Sequence, residues 1–279
     1  MLVSENEDGW LNVEGPIAYE GIGNAGCHHD YSAISIIKCR NLSGKVARGL
    51  VNYKRVERLW LWCAVFRTAM PHVISLPKLR VLDILEIKRP GHRMPSFDCA
   101  ENLREFRCPS GLTDSDLAAI TRAPNLVEIG AQWSHLSPVG VESILNSPSI
   151  ESVDLECAGI TDELVAQLSS SSRIKLLDLG NNPLSGRGLE AISQMSQLQR
   201  LDIWQTVTTA NELESLASLE SLEYLSLGGE NEKGHIFSGD EIVPVLELIP
   251  SLRSVWLDGV SLSDAQLEEL KSRYENFRS

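Results

Sequence analysis

An apolar hexad, L-x-x-L-x-L in its fullest form, recurs along the chain at nearly constant spacing, and no other feature restricts the fold as much. Its second apolar position falls at Ile34, Leu59, Leu82, Phe106, Ile129, Val153, Leu177, Leu201, Leu225 and Val255. Successive intervals are 25, 23, 24, 23, 24, 24, 24, 24 and 30 residues. A fixed period in the twenties means one supersecondary unit copied many times. Each copy is too small to bury its own apolar face, so the copies stack.

Each copy divides into a strand and a return segment. In Ile174-Lys-Leu-Leu-Asp-Leu179 alternate side chains face opposite sides, so Leu177 and Leu179 point to the core while Leu176, Asp178 and Gly180 point to an open face. The return segments LTDSDLAAI, ITDELVAQL, LSGRGLEAI and LSDAQLEEL carry apolar residues at helical spacing. Thr113 with Asp116, Thr209 with Glu212 and Ser263 with Gln266 have capping-box spacing. Ser137 before Pro138 reads as a cap followed by a first helical residue. Strand, crossover helix and next strand make a parallel sheet.

The hexad LQRLDI (198–203) and the run KLLDLGNNPLSGRGLEAI (175–192) resemble the ribonuclease-inhibitor-like class of leucine-rich repeats, over about Tyr31 to Leu270. The resemblance implies an α/β solenoid, a right-handed horseshoe with about ten parallel strands on its concave face and helices on its convex face. The class usually places Asn or Cys three residues after the last apolar position of the hexad. Only Asn182 and Cys39 fit here; Ser134, Ala158, Thr206 and Val260 stand in the equivalent places, so less regular turns are expected. The expected division is an N-terminal cap segment over 1–30, one solenoid over 31–270 and a C-terminal cap over 271–279. Trp10 and Ile17 are candidate plugs for one end, Tyr274 and Phe277 for the other. The interval of 30 marks an insertion, 229–240, and polar insertions of this kind map to loops.

The chain has 25 Lys+Arg against 38 Asp+Glu in 279 residues, a formal charge of −13. That balance repels phosphate backbones, which argues against nucleic acid as a ligand, and it attracts a basic partner. The N-terminus MLVSENEDGW has no apolar leader pattern, and no apolar run is long enough for a bilayer. A cytoplasmic protein with no membrane contact is expected. The six cysteines show no paired spacing and read as reduced thiols, Cys108 at a core position.

Candidate chemistry is sparse. GIGNAG (Gly21, Gly23, Gly26) matches G-x-G-x-x-G, but CHHDYSAISI follows it and reads as a strand, where a dinucleotide site needs a helix. Cys27, His28, His29 and Asp30 are ligand types in one run, with Cys39 the only nearby residue to complete a set, and adjacent residues rarely converge on one ion. No nucleophile elbow, zinc-protease motif or phosphate loop is present. No enzyme activity, cofactor or metal is expected.

The open face is the informative place. The residue between the last two apolar positions reads Ser35, Trp60, Asp83, Arg107, Gly130, Asp154, Asp178, Asp202, Ser226, Trp256. Two residues on, the column includes Trp62, Leu85, Pro109, Gln132, Glu156, Gly180, Trp204, Gly228 and Asp258. Trp60, Trp62, Trp204 and Trp256 thus project from the sheet, Trp133 sits at a strand end, and Asp154, Glu156, Asp178, Asp202 and Asp258 accompany them. Exposed tryptophans mark interfaces more often than not, whereas the aspartates could equally be solvated residues of a common repeat variant. These ten residues are the expected site for a basic protein partner. An inhibitor or immunity-type protein is the narrower expectation. An adaptor or effector recruiting a regulatory or host protein, and a binder of glycans or small molecules, are the alternatives. The oligomeric state is not legible.

Overall fold

All ten hexads become strands. The computed structural model describes residues 2–5, 9–15, 22–23, 30–88, 93–206, 208–229 and 237–279. The chain divides into two units, Met1–Ser134 with Ser143–Ile150, and His135–Glu142 with Glu151–Ser279. The first holds β1 (Leu2–Glu5), β2 (Leu11–Glu14), β3 (Ala33–Ile37), β4 (Arg58–Phe66), β5 (Val81–Lys88), β6 (Glu105–Arg107) and β7 (Glu128–Gly130). The second holds β8 (Ser152–Asp154), β9 (Leu176–Asp178), β10 (Arg200–Asp202), β11 (Tyr224–Gly228), β12 (Ser254–Asp258) and β13 (Asn276–Arg278). Within each unit neighbouring strands pair in parallel, apart from β1, which is antiparallel to β2.

The register aligns equivalent hexad positions. Ile34, Leu59, Leu82, Phe106 and Ile129 form one buried row in the first unit. Val153, Leu177, Leu201, Leu225 and Val255 form the corresponding row in the second. The expected helices lie at Asp114–Ile120, Asp162–Leu168, Gly186–Ile192 and Asp264–Arg273. Thr113, Thr209 and Ser263 close capping boxes as their spacing predicts, and Ser238 with Glu241 adds a further one. Ser137 Oγ accepts from the Val139 N–H at 3.2 Å ahead of the helix Pro138–Leu145.

Four features depart from expectation. First, the ladder extends beyond the hexads. Leu11 and Val13 of β2 are buried and pair with Ile34 and Ile36, and Phe277 of β13 pairs with Val255. Trp10 is not a core plug: its ring stacks on Trp60 with centroids 4.3 Å apart. Ile17 and most of the 229–240 insertion lie outside the described residues.

Second, from β7 to β11 the turns are regular despite the missing asparagines. A left-handed residue recurs every 24 positions, at Trp133, Cys157, Asn181 and Gln205 with φ of 52 to 56°, and at Gly229 with φ 73°. Asn182 bonds the carbonyls of Leu155, Leu179 and Gly180 and accepts from the Ile160 N–H. Elsewhere hydroxyls serve: Ser134 donates to the Gln132 carbonyl and Thr206 to the Ile203 carbonyl.

Third, β4 and β5 run to 9 and 8 residues, where β6 to β10 have 3 each. The alternation in LWLWCAVF sustains β4: Leu59, Leu61, Cys63 and Val65 all turn inward. Fourth, just past β4, Arg67 (7% exposed) forms a bidentate bridge to Asp116 (1% exposed) at 2.9 and 2.5 Å. Asp116 also accepts from Thr113, so one carboxylate caps a helix and satisfies a buried guanidinium.

Candidate functional site

In the first unit the pleat turns Trp60 and Trp62 of β4, Asp83 and Leu85 of β5, and Arg107 of β6 to the open face. With Ile84, Pro109 and Gln132 they line a hollow of about 340 Å³. Its exposed wall is apolar: Trp62 is 59% exposed and Leu85 43%. Trp60 is half-buried between Trp10 and this hollow. Arg107 lies across three carboxylates, with Nε donating to Glu128 at 2.5 Å, Nη2 to Glu105 at 2.9 Å and Nη1 to Asp83 at 3.4 Å. Gly130, in register with Arg107, makes room for it: a Cβ there would sit 3.2 Å from Arg107 Cγ. Burial pushes the Asp83 carboxyl above the usual carboxylate range, and Arg107 opposes that rise. Trp133, at the left-handed turn after β7, is 63% exposed.

In the second unit Asp154, Asp178 and Asp202 stand side by side in register on β8, β9 and β10. Each carboxylate accepts from the backbone N–H two residues on: Glu156 at 3.2 Å, Gly180 at 2.9 Å and Trp204 at 3.1 Å. The column therefore also closes the strand ends, the local bonding that aspartate favours in turns. Burial, then the charges of Asp202 and Asp154, push Asp178 up to about 7, against the pull of the Gly180 N–H. Burial likewise raises Asp202, opposed by the Trp204 N–H. Glu156 accepts from Asn181 Nδ2 at 3.2 Å.

The remaining expected site residues are engaged within the chain. Trp204 is half-buried beside Gly229, whose own Cβ, if it had one, would lie 2.7 Å from the indole nitrogen. Trp256 sits between Tyr224, at 5.5 Å between centroids, and Arg278, whose guanidinium is 5.1 Å from the ring. Asp258 pairs with Arg278 at 3.6 Å. Of the five expected tryptophans, only Trp62 and Trp133 are largely open to solvent.

Sequence reasoning passed over Asp83, Leu85, Arg107 and Pro109 as site residues. The signal was in the columns: Arg107 stands beside Asp83, and Glu105 and Glu128 occupy the strand positions around it. Cys27, His28 and His29 lie outside the described residues, as do Gly21 and Gly26. Among the described residues no cluster of His, Cys, Asp and Glu could hold a metal ion, and no helix is long and apolar enough to cross a membrane.

No family model and no curated protein matches the sequence. Solved structures do match. An internalin from Listeria monocytogenes aligns over 96% of this chain and 86% of its own, at 16% identity and TM-score 0.49. The leucine-rich-repeat ectodomain of the plant receptor kinase GASSHO1/SCHENGEN3 from Arabidopsis thaliana, in complex with Casparian strip integrity factor 2, aligns over 95% of this chain at 18% identity and TM-score 0.53. This chain spans 34% of that ectodomain's length. With the repeat register above, the second likeness identifies the fold: an α/β leucine-rich-repeat solenoid.

Proposed function

We propose that this protein is a non-enzymatic binding solenoid that engages a basic partner protein through the open faces of its strands. The observation that carries the reading is the display of Trp62 and Trp133, both more than half exposed, on a chain of formal charge −13. Large aromatic side chains open to water are characteristic of interface anchors. The acid column of the second unit supplies long-range attraction for Lys and Arg. The unpaired spacing of the cysteines in the sequence, with Cys108 at a core position, is the support for a reducing, cytoplasmic setting. Within this reading the protein resembles the ribonuclease-inhibitor-like class and acts as an inhibitor or immunity-type protein that covers a basic toxin or nuclease. That last step rests on the formal charge of −13 and on fold analogy.

Capture from the native lysate tests the reading, with identification by mass spectrometry and two variants in parallel. Asp154→Asn/Asp178→Asn/Asp202→Asn keeps the backbone-accepting oxygens and removes the charge. Trp133→Ala removes an exposed anchor. A basic protein that binds the parent, associates about tenfold more slowly with the triple variant at low salt and dissociates faster from Trp133→Ala is the expected result. An acidic partner, or equal binding by all three proteins, overturns it. Loss of the partner's enzymatic activity on titration marks an inhibitor; retained activity marks an adaptor.

A further inference from the structure

We propose that the hollow on β4, β5 and β6 seats one cationic side chain, an arginine or lysine of an extended partner peptide. This rests on the reading of the open face as partner-binding and assigns it a site. Its size limits the occupant: about 340 Å³ is at the low end of the roughly 300–1,000 Å³ of small-ligand pockets, room for one long side chain with the peptide backbone that carries it. Its wall suits the stem of such a side chain, because Trp62 and Leu85 present apolar surface on which a chain of methylenes can lie. Its charge selects the head. Asp83 and Arg107 are the charged residues that line the hollow, and Glu105 and Glu128 hold Arg107 from outside the lining, so the cluster as a whole carries one positive charge against three carboxylates, a formal surplus of two negative charges. Three of the five N–H groups of Arg107 already donate to those carboxylates, so its charge is largely neutralised within the cluster. A cation entering beside the indoles gains attraction from the ring face and from the carboxylate surplus together. It also relieves Asp83, whose ionised form burial disfavours. A leucine or proline would fill the same space and make no use of the charge.

The test uses the full chain with nitrogen-15 in its tryptophan indoles and two-dimensional NMR. The probes are capped glycyl-arginyl-glycine and the matching tripeptides with citrulline, a neutral isostere, and norleucine, an apolar stem alone. The arginine peptide is expected to shift the Trp60 and Trp62 signals saturably, with those of Trp204 and Trp256 unmoved. The citrulline and norleucine peptides are expected to bind at least about fivefold more weakly, and Asp83→Asn to weaken the arginine peptide by about three- to tenfold. Trp62→Ala, at an exposed position where folding is not at stake, is expected to lose the response at Trp60. Equal binding of norleucine and arginine overturns the proposal in favour of an apolar occupant, and the absence of any shift at Trp62 overturns it outright. The two proposals fail separately: a lysate capture indifferent to the triple aspartate variant and to Trp133→Ala overturns the function proposed above, whereas the tripeptides alone decide the hollow.

Discussion

Asp83 and Asp178 hold the same place in their repeats, yet one strand over their surroundings diverge. Beside Asp83 stands Arg107, in register and able to lie flat because Gly130 follows it. Beside Asp178 stand Asp154 and Asp202. Burial raises both carboxyls, but Arg107 restrains Asp83 while the flanking aspartates drive Asp178 to about 7. In an in-register parallel sheet a residue's electrostatics is thus set by the residues one repeat away on each side. The repeat fixes the position, and the neighbours decide whether it becomes a clamp or a row of like charges.

The largest test of that contrast is its buried extreme. Arg67→Met leaves Asp116 as a lone interior charge and should cost ~3–5 kcal/mol in urea unfolding. Arg107→Met removes the same group where it is 36% exposed, and water should hold the cost to ~1–2 kcal/mol. Equal costs would show that burial does not separate the two clamps. Next comes the contrast among tryptophans. Trp256→Ala strips a ring held by Tyr224 and Arg278 and should cost ~1–2 kcal/mol, while Trp62→Ala should stay within ~0.5 kcal/mol. A Trp256→Ala protein with an unchanged melting curve would return that residue to the freely available surface.

The smallest effect is a pH dependence. The folded pKa of Asp178 is raised to about 7 from about 3.9 in an unfolded chain. The stabilisation from its protonated form is therefore complete below about pH 4 and is lost as pH rises through about 7. Asp178→Asn abolishes that loss and should be the more stable protein at pH 8, by on the order of 1 kcal/mol after allowance for solvent. The quantity to follow is the difference in urea midpoint between parent and variant from pH 4 to pH 8. A difference that does not change with pH would mean that the carboxylate row is relaxed by solvent.

The hexads and their helices were legible because apolar period and capping residues agree at each copy. Strands β2 and β13 were not: β2 offers only Leu11 and Val13, and β13 only Phe277. The length of β4 was readable in the continued alternation through Val65, which the hexad template cut short. At the candidate site the columns were correctly composed but read one residue at a time. Side-chain lengths hid the rest, since Arg107 spans from β5 to β7 and Trp10 reaches Trp60 from outside the repeats. The left-handed turn left almost no trace, because Trp, Cys and Gln occupy it beside the Asn and Gly that suit it.

That turn has a bearing on heat resistance. Lys38, Trp133, Cys157, Asn181 and Gln205 hold φ between 52 and 56°, a conformation that costs most L-residues ~1–2 kcal/mol and asparagine less. Cys157 and Gln205 are two repeats apart, ~10 Å along the sheet, far enough for their effects to add. Asparagine at both would leave the core and the strand faces unaltered and raise the melting temperature twice over. Residue choice at this one backbone position thus acts as a dial on thermal tolerance, set turn by turn.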